Sequence, residues 1–271
     1  MSCYELEVLE FERAVLSLPI SYLITMTTST RRSRYMAELS KSPPTRTVVV
    51  VHNTGYLQCG KGCVDKPCKD LWHANQFIAQ HHLSTQPTST HVLIMEDDVQ
   101  FSDRFSQMGV FIDDALVRLQ PDVYSISSLP VWTLPFDAHH LKGSFAMTSA
   151  VIYSNKILAR FGEVPACSLK WGHDTFEFWW RLMPYRSLML REPLAGQLME
   201  DTANKAEWDS TGVFSAINSV FDARNDPLWL VKFQAIPIVS SFGSCGTLTG
   251  LALLTVVVLV YLRHHRRSAS P

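Results

Sequence analysis

The sequence predicts an α/β fold, a single domain around a mixed, mainly parallel sheet, followed by a C-terminal transmembrane helix. Three observations predict it. From Ile20 onward, short β-type runs alternate with helical runs, the rhythm of strand-helix-strand units. Two of the strand-like runs, Thr47-Val-Val-Val-Val-His-Asn53 and Val92-Leu-Ile-Met95, are almost continuously apolar, as strands buried on both faces are. Residues 233–262 carry no charged side chain, and the second half of that stretch is almost wholly apolar.

Taken in order, residues 1–19 read as an extension in which Glu5, Glu7, Glu10 and Glu12 precede the apolar start of the domain. Residues 20–26 form the first strand. Residues 28–39 are polar with a helical tail, and Pro43-Pro44 closes them before the second strand at 47–53. A cysteine-containing loop, Gln58-Cys-Gly-Lys-Gly-Cys-Val-Asp-Lys-Pro-Cys68, leads to an amphipathic helix at 70–82. Its Leu71, Ala74, Phe77 and Ile78 recur at three- and four-residue spacing, and Asp70 is placed to cap it. Residues 84–90 are a polar loop into an apolar strand that ends in Glu96, Asp97 and Asp98.

Ser102 or Asp103 then caps a helix whose apolar stripe is Phe105, Met108, Phe111, Ile112, Ala115, Leu116 and Leu119, and Pro121 ends it. Residues 122–128 alternate like a strand, and 129–141, rich in Pro, Trp and His, read as a loop. A strand at 144–153, a helix at 154–161 and a turn into an aromatic-rich helix at 171–181 follow. Trp208 and Trp229 are expected to close the core. No repeat or low-complexity tract interrupts the domain, which is taken to run from 20 to 235.

The hydrophobic content of 46% supports a sizeable core, and a net charge of −1 without a basic, aromatic-interleaved run excludes a nucleic-acid partner. Residues 240–262 match the roughly 20 apolar residues that cross a bilayer, and a basic tail at 263–271 follows, with Arg263, Arg266 and Arg267. A buried core helix is the alternative. The basic tail places itself in the cytosol and the domain in a lumen, the Golgi or endoplasmic reticulum. That topology needs an export signal, yet acidic residues precede the apolar run at 14–24, so a tail-anchored cytosolic domain stays open. Cys59, Cys63 and Cys68 admit three readings: structural zinc with His73, a loop disulfide in an oxidising lumen, or free thiols.

The acidic run carries the chemistry. Three adjacent carboxylates repel one another unless a cation neutralises them, and a hard divalent ion such as Mg²⁺ or Mn²⁺ does so. Alternation along a strand puts Glu96 and Asp98 on one face and Asp97 on the other. Carboxylates at the C-terminal edge of a buried strand sit where open α/β sheets bind ligands. A solvated acidic turn is the plainer alternative.

On these residues the chain resembles A-type-fold, Rossmann-like glycosyltransferases that use nucleotide sugars, most nearly the procollagen galactosyltransferase and lipopolysaccharide glycosyltransferase group. Leu23-Ile-Thr-Met-Thr-Thr-Ser-Thr-Arg-Arg32 looks like the nucleotide-contacting first strand, which implies contacts from Thr25, Thr27 and Arg31, with Arg32 beside them. Val92-Leu-Ile-Met-Glu-Asp-Asp-Val-Gln-Phe101 is similar to the metal-binding motif: Asp98 would ligate the ion, Glu96 would act through water or ribose, and Asp97 would face the nucleotide. Asn75 and Asp70 would line the nucleotide pocket. Gly143–Ser154 followed by Trp171-Gly-His-Asp174 looks like the acceptor side, with Asp174, or else His173, as general base and Trp132, Trp171, Phe176, Trp179 and Trp180 as sugar-stacking candidates.

The resemblance spans roughly residues 20–181 and implies a UDP-sugar or similar donor, a glycan, glycoprotein or glycolipid acceptor near a membrane, and Mn²⁺ or Mg²⁺. One departure stands out: many relatives complete the metal site with a histidine late in the domain, whereas only His264 and His265 follow His173, so either His173 takes that role, the diphosphate completes the coordination, or metal dependence is weak. Two other functions remain in competition. A nucleotidyltransferase would use the same carboxylates but wants a Gly-rich first loop, and residues 27–34 contain no glycine. A non-catalytic membrane-anchored binding domain would keep the fold without turnover.

Overall fold

A computed structural model of the protein describes residues 2–127, 129–146, 149–169 and 182–197. Three parallel strands form the heart of the sheet: β2 (Ile20–Met26) lies between β3 (Thr47–Asn53) and β4 (His91–Glu96). Their side chains divide strictly by period two. Tyr22, Ile24, Val49, Val51, Val92 and Ile94 face one core, while Leu23, Val48, Val50, Leu93 and Met95 face another. Both faces are therefore covered, which is why these strands read as unbroken apolar runs.

The first core is completed by α2 (Pro67–Thr85) and the short α4 (Asn155–Leu158), through Trp72, Ile78, Ile157 and Leu158. The second is completed by α1 (Arg32–Lys41) and α3 (Phe105–Leu119), through Tyr35, Leu39, Phe105, Ile112 and Leu116. The result is a three-layer α/β/α arrangement. Among the described residues nine strands make the main sheet, in the order β1-β3-β2-β4-β9-β6-β10-β8-β7. The added strands are β1 (Tyr4–Glu10), β6 (Val123–Ser125), β7 (Leu129–Pro135), β8 (His140–Ala146), β9 (Ala150–Ser154) and β10 (Ser187–Leu190). The sheet is mixed: six strands run one way, and β1, β8 and β9 run the other. A two-stranded ribbon pairs β5 (Val99–Phe101) with β11 (Ala195–Gln197).

Several expectations change. Residues 1–19 are more than an extension, because Tyr4-Glu-Leu-Glu-Val-Leu-Glu10 pairs antiparallel with β3 along its whole length. An edge strand tolerates that much glutamate, since it meets water along its outer side and on parts of both faces. The loop expected at 129–141 is a hairpin, β7–β8, with an irregularity between Pro130 and Trp132. Proline is acceptable there because β7 is the outermost strand of the sheet. The strand expected at 144–153 is split between β8 and β9.

Helix starts also differ from the sequence reading. Neither α2 nor α3 has a side-chain cap: their N-cap residues are Lys66 and Arg104, so Asp70, Ser102 and Asp103 do not cap them. Pro67 opens α2 instead, its fixed φ suiting a first helical turn. The end of α3 lies where Pro121 requires it, with Gln120 left-handed at φ 43° and its N–H on Leu116 O at 3.1 Å. Among the described helices only α4 is capped as a serine should cap, Ser154 Oγ accepting from Ile157 N.

Among the described residues no helix is long and apolar enough to cross a membrane, and the span expected at 240–262 lies outside them.

Candidate active site

The parallel pairing of β2 with β4 sets Ile24 opposite Glu96, so the segments that follow both strands leave the sheet at one edge. There β4 stops at Glu96, and Asp97-Asp98 forms a turn into β5. Ending the strand ends its alternation. Asp97 and Asp98 therefore do not face apart as a continued strand would make them: Arg31 Nη1 lies 2.9 Å from Asp97 Oδ1 and 3.6 Å from Asp98 Oδ2. Glu96 is half-buried, its N–H on Ser149 O at 3.0 Å.

Asp97 is well satisfied. Thr25 Oγ1 and Ser29 Oγ both donate to its Oδ2 at 2.7 Å, and Arg31 donates to Oδ1. These donors come from the end of β2, the turn after it and the N-cap of α1. Charge-assisted bonds of this kind fix the Asp97 carboxylate in place. Asp98 differs. Gln197 Nε2 donates to its Oδ2 at 3.0 Å, through the register that sets Gln197 against Val99. Its Oδ1 is buried without a hydrogen-bond partner among the described residues. Burial pushes the Asp98 carboxyl up to about 6, against the downward pull of the Gln197 hydrogen bond and the Arg31 charge.

A second buried cluster occupies the same edge, because Asn53 ends β3 opposite Met26. Lys61 Nζ donates to Asp70 Oδ1 at 2.5 Å and also to Asn53 Oδ1, and Asn53 Nδ2 donates to Asp70 Oδ2 at 3.2 Å. The Lys61 and Asp70 side chains are 1% and 5% exposed. Lys61 Nζ also stands 4.6 Å from the centre of the Tyr4 ring, whose hydroxyl meets His73 Nδ1 at 2.6 Å. Burial, reinforced by the Asp70 charge, pushes the Tyr4 phenol up, and burial followed by the Lys61 charge pushes His73 down. Gly55, at φ +84°, makes the turn that returns its N–H to Asn53 Oδ1 at 2.9 Å, and a Cβ there would stand 2.8 Å from Met26 Cε.

The cysteine loop delivers Lys61. Cys59 pairs with Cys3 and Cys63 with Cys167, so neither is available to a zinc ion and the loop contains no internal disulfide. Cys68 is in neither bridge. Both bridges run from the loop to distant segments, a pairing the local spacing does not reveal.

The expected site residues thus separate. Thr25, Arg31, Asp97 and Asp98 meet at one turn, with Glu96 at the strand end beside them. Thr27 is exposed, its N–H on Asn53 O at 2.9 Å. Asn75 is buried, its amide donating to Leu71 O of its own helix at 2.9 Å. Asp70 is the counter-ion of Lys61, and Arg32 pairs with Glu7 at 2.5 Å. Trp132 lies on β7. Trp171, His173, Asp174, Phe176, Trp179, Trp180, Trp208 and Trp229 lie outside the described residues. Sequence reasoning did not single out Ser29, Gln197 and Lys61.

Among the described residues no group of three or more His, Cys, Asp or Glu side chains is placed to hold a metal ion by itself. A Mg²⁺-type ion does not need one, since it is commonly held by one or two carboxylates, with water and substrate phosphate completing the shell. The orphaned Asp98 Oδ1 fits that role.

No protein-family model matches the chain, and no curated protein matches it. Solved structures with a partial likeness include a glycosyltransferase involved in glycosylating the major capsid of PBCV-1. It is 12% identical over 71% of this chain and 97% of that one, with a TM-score of 0.43. A protein of STIV is 9% identical over 68% of this chain and 87% of its own, at a TM-score of 0.41. A protein from Bacillus anthracis described as a glucose-1-phosphate thymidylyltransferase is 11% identical over 65% of this chain and 69% of its own, at 0.32. Likeness at this level decides nothing about chemistry.

Proposed function

We propose that the protein is a glycosyltransferase of the A-type fold that moves a sugar from a nucleoside-diphosphate donor to a glycan, glycoprotein or glycolipid acceptor. One observation carries the reading. A buried carboxylate oxygen, Asp98 Oδ1, is left without a hydrogen bond among the described residues, in an acidic turn at the C-terminal edge of three parallel strands. A buried anion in that state needs a cation, and this edge of an α/β sheet is where ligands bind.

Asp98, with Glu96 beside it, would hold a divalent ion, Mn²⁺ or Mg²⁺. When bound, that ion supplies neutralisation of the charge gathering on the departing diphosphate. Thr25 and Ser29 keep the turn in place through Asp97. Arg31 brings a planar guanidinium suited to phosphate oxygens. Asp174 or His173 takes the acceptor proton in this reading. The apolar segment 240–262 anchors the enzyme, and holding it at a surface raises its effective concentration toward membrane-held acceptors.

The experiment is a thermal-stability titration of the purified chain with nucleoside diphosphates, nucleotide sugars and nucleoside triphosphates, with and without Mn²⁺, beside Asp98→Ala. A ligand at a hundred times its dissociation constant stabilises by about 2.7 kcal/mol, a readable shift. Metal-dependent stabilisation by one nucleoside diphosphate and its sugar, lost in Asp98→Ala, is the expected result. A response to triphosphates alone would make the protein a nucleotidyltransferase. No response from folded protein would sink the transferase reading.

A further inference from the structure

Arg31 occupies the position in which a bound cation would be most useful. It bridges the two carboxylates of the turn, 2.9 Å from Asp97 Oδ1 and 3.6 Å from Asp98 Oδ2. A dication and a guanidinium cannot share that space without strong repulsion. We propose that Arg31 is an exchangeable counter-ion: it neutralises the acidic turn while the site is empty, and on donor binding it passes to the diphosphate, leaving Asp97 Oδ1 and Asp98 Oδ1 to the divalent ion. This rests on the transferase reading above and adds Asp97 to the ion's ligands.

Three features of the turn make the exchange feasible. First, the arginine backbone is fixed independently of its side chain. Arg31 N donates to Ser29 Oγ at 3.2 Å, and Arg31 O accepts from Arg34 N and Tyr35 N at 3.0 Å in the first turn of α1. Only the side chain has to swing, and at 17% exposure it has a path to solvent. Second, its departure strands neither Asp97 nor Asp98. Asp97 keeps Thr25 and Ser29 on Oδ2, both at 2.7 Å, and Asp98 keeps Gln197 on Oδ2 at 3.0 Å. Third, the oxygens left for the ion are those that none of these donors uses. Asp97 Oδ1 is vacated by Arg31, and Asp98 Oδ1 already lacks a partner among the described residues. Two carboxylate oxygens with phosphate and water suit Mg²⁺ or Mn²⁺.

The charge balance runs the same way. With Arg31 in place one of the three charges of Glu96, Asp97 and Asp98 is offset and the guanidinium repels a dication, so metal alone binds weakly. A diphosphate carries enough negative charge to take the guanidinium, and metal and nucleotide then bind as a pair.

The test measures Mn²⁺ binding to the full chain in detergent, from the free-ion electron paramagnetic resonance signal, without nucleotide and then with a saturating nucleoside diphosphate. Arg31→Gln is expected to tighten binding of Mn²⁺ alone by roughly ten-fold or more and to weaken nucleotide binding at saturating Mn²⁺ by a similar factor. Adding Asp97→Asn should cancel the gain in metal affinity. Arg31→Lys, which keeps a charge but loses the planar guanidinium, gives a smaller gain in the same direction and serves if Arg31→Gln does not fold. Unchanged or weaker Mn²⁺ binding in folded Arg31→Gln, or in Arg31→Lys where only that variant folds, overturns the exchange and leaves Arg31 a structural ion pair. Wild type that binds no nucleotide with or without Mn²⁺ overturns the transferase reading itself, a separate outcome.

Discussion

Lys61 and Asp70 are almost wholly removed from water, which makes their pairing costly to form and more costly to break. Lys61→Met leaves Asp70 with the Asn53 amide alone among the described residues, and urea unfolding should register a loss of about 3 kcal/mol or more. Adding Asp70→Leu removes the stranded charge, so the double variant should be more stable than Lys61→Met alone. Two single losses that simply add would show that the pair acts as separate residues. Residue identity announced part of the site and concealed the rest. Glu96, Asp97 and Asp98 stand together in the sequence, and Thr25 and Arg31 stand just past a readable strand. Ser29 carried no signal beyond being a serine in a turn. Gln197 reaches Asp98 only because β11 crosses to β5, 99 residues away in the sequence. Lys61 looked like one more charge in a glycine-rich loop, since nothing local indicates that disulfides at Cys59 and Cys63 draw it into the core.

At the scale of elements, α3 carries a glycine in its middle with an evident reason. A Cβ on Gly109 would stand 2.1 Å from Val15 O and 2.9 Å from Val15 Cγ1, because the strap before β2 lies directly on the helix. Ser17 secures that strap, its N–H and hydroxyl both on Asp113. Helix propensity alone favours Gly109→Ala by about 1 kcal/mol. Backbone displacement in a packed contact costs about 1–3 kcal/mol, and a clash with a carbonyl cannot be relieved by a rotamer change. Net destabilisation is therefore expected, read as a lower melting temperature; a rise would mean that the strap lifts freely. The elements that sequence identified best are those with one dominant cause. Strands β2 and β3 lie exactly where the apolar runs put them, at 20–26 and 47–53. Strand β1 and the β7–β8 hairpin were misread because edge strands answer to weaker rules. Water on one side admits the glutamates of β1, and an unpaired outer side admits Pro130 and Pro135 of β7.

For the whole molecule, buried histidines set the response to acid. His73, His81, His82 and His91 are all held below the usual histidine range, in each case first by burial. His82 is fully buried, and its ring nitrogens lack hydrogen-bond partners among the described residues. Below about pH 6.5 the unfolded chain takes up protons that the folded chain refuses, so stability falls as pH drops from there. Asp98 works in the opposite sense: its carboxyl, raised to about 6, adds stability as pH falls through that value. Among the described residues, four groups against one decide the sign. Urea midpoints at pH 7.5 and 5.5 should show the loss, and His82→Leu should reduce it. Equal midpoints would mean that the histidines open to water before the fold does.

The two disulfides close segments with sequence separations of 56 and 104. On a chain-entropy scale such closures contribute about 4 and about 5 kcal/mol, comparable to the entire stability of many domains. Their order along the polypeptide poses a problem of timing. Cys59 meets its partner as soon as the first sixty or so residues exist, whereas Cys63 must wait until residue 167 has left the ribosome. Through that interval its nearest thiols are Cys59, four positions behind, and Cys68, five ahead. Either one offers a wrong bond before the right one can form. Production of this protein is therefore governed by thiol exchange as much as by burial, and a host that supplies a disulfide isomerase should give a higher native yield than one that only oxidises.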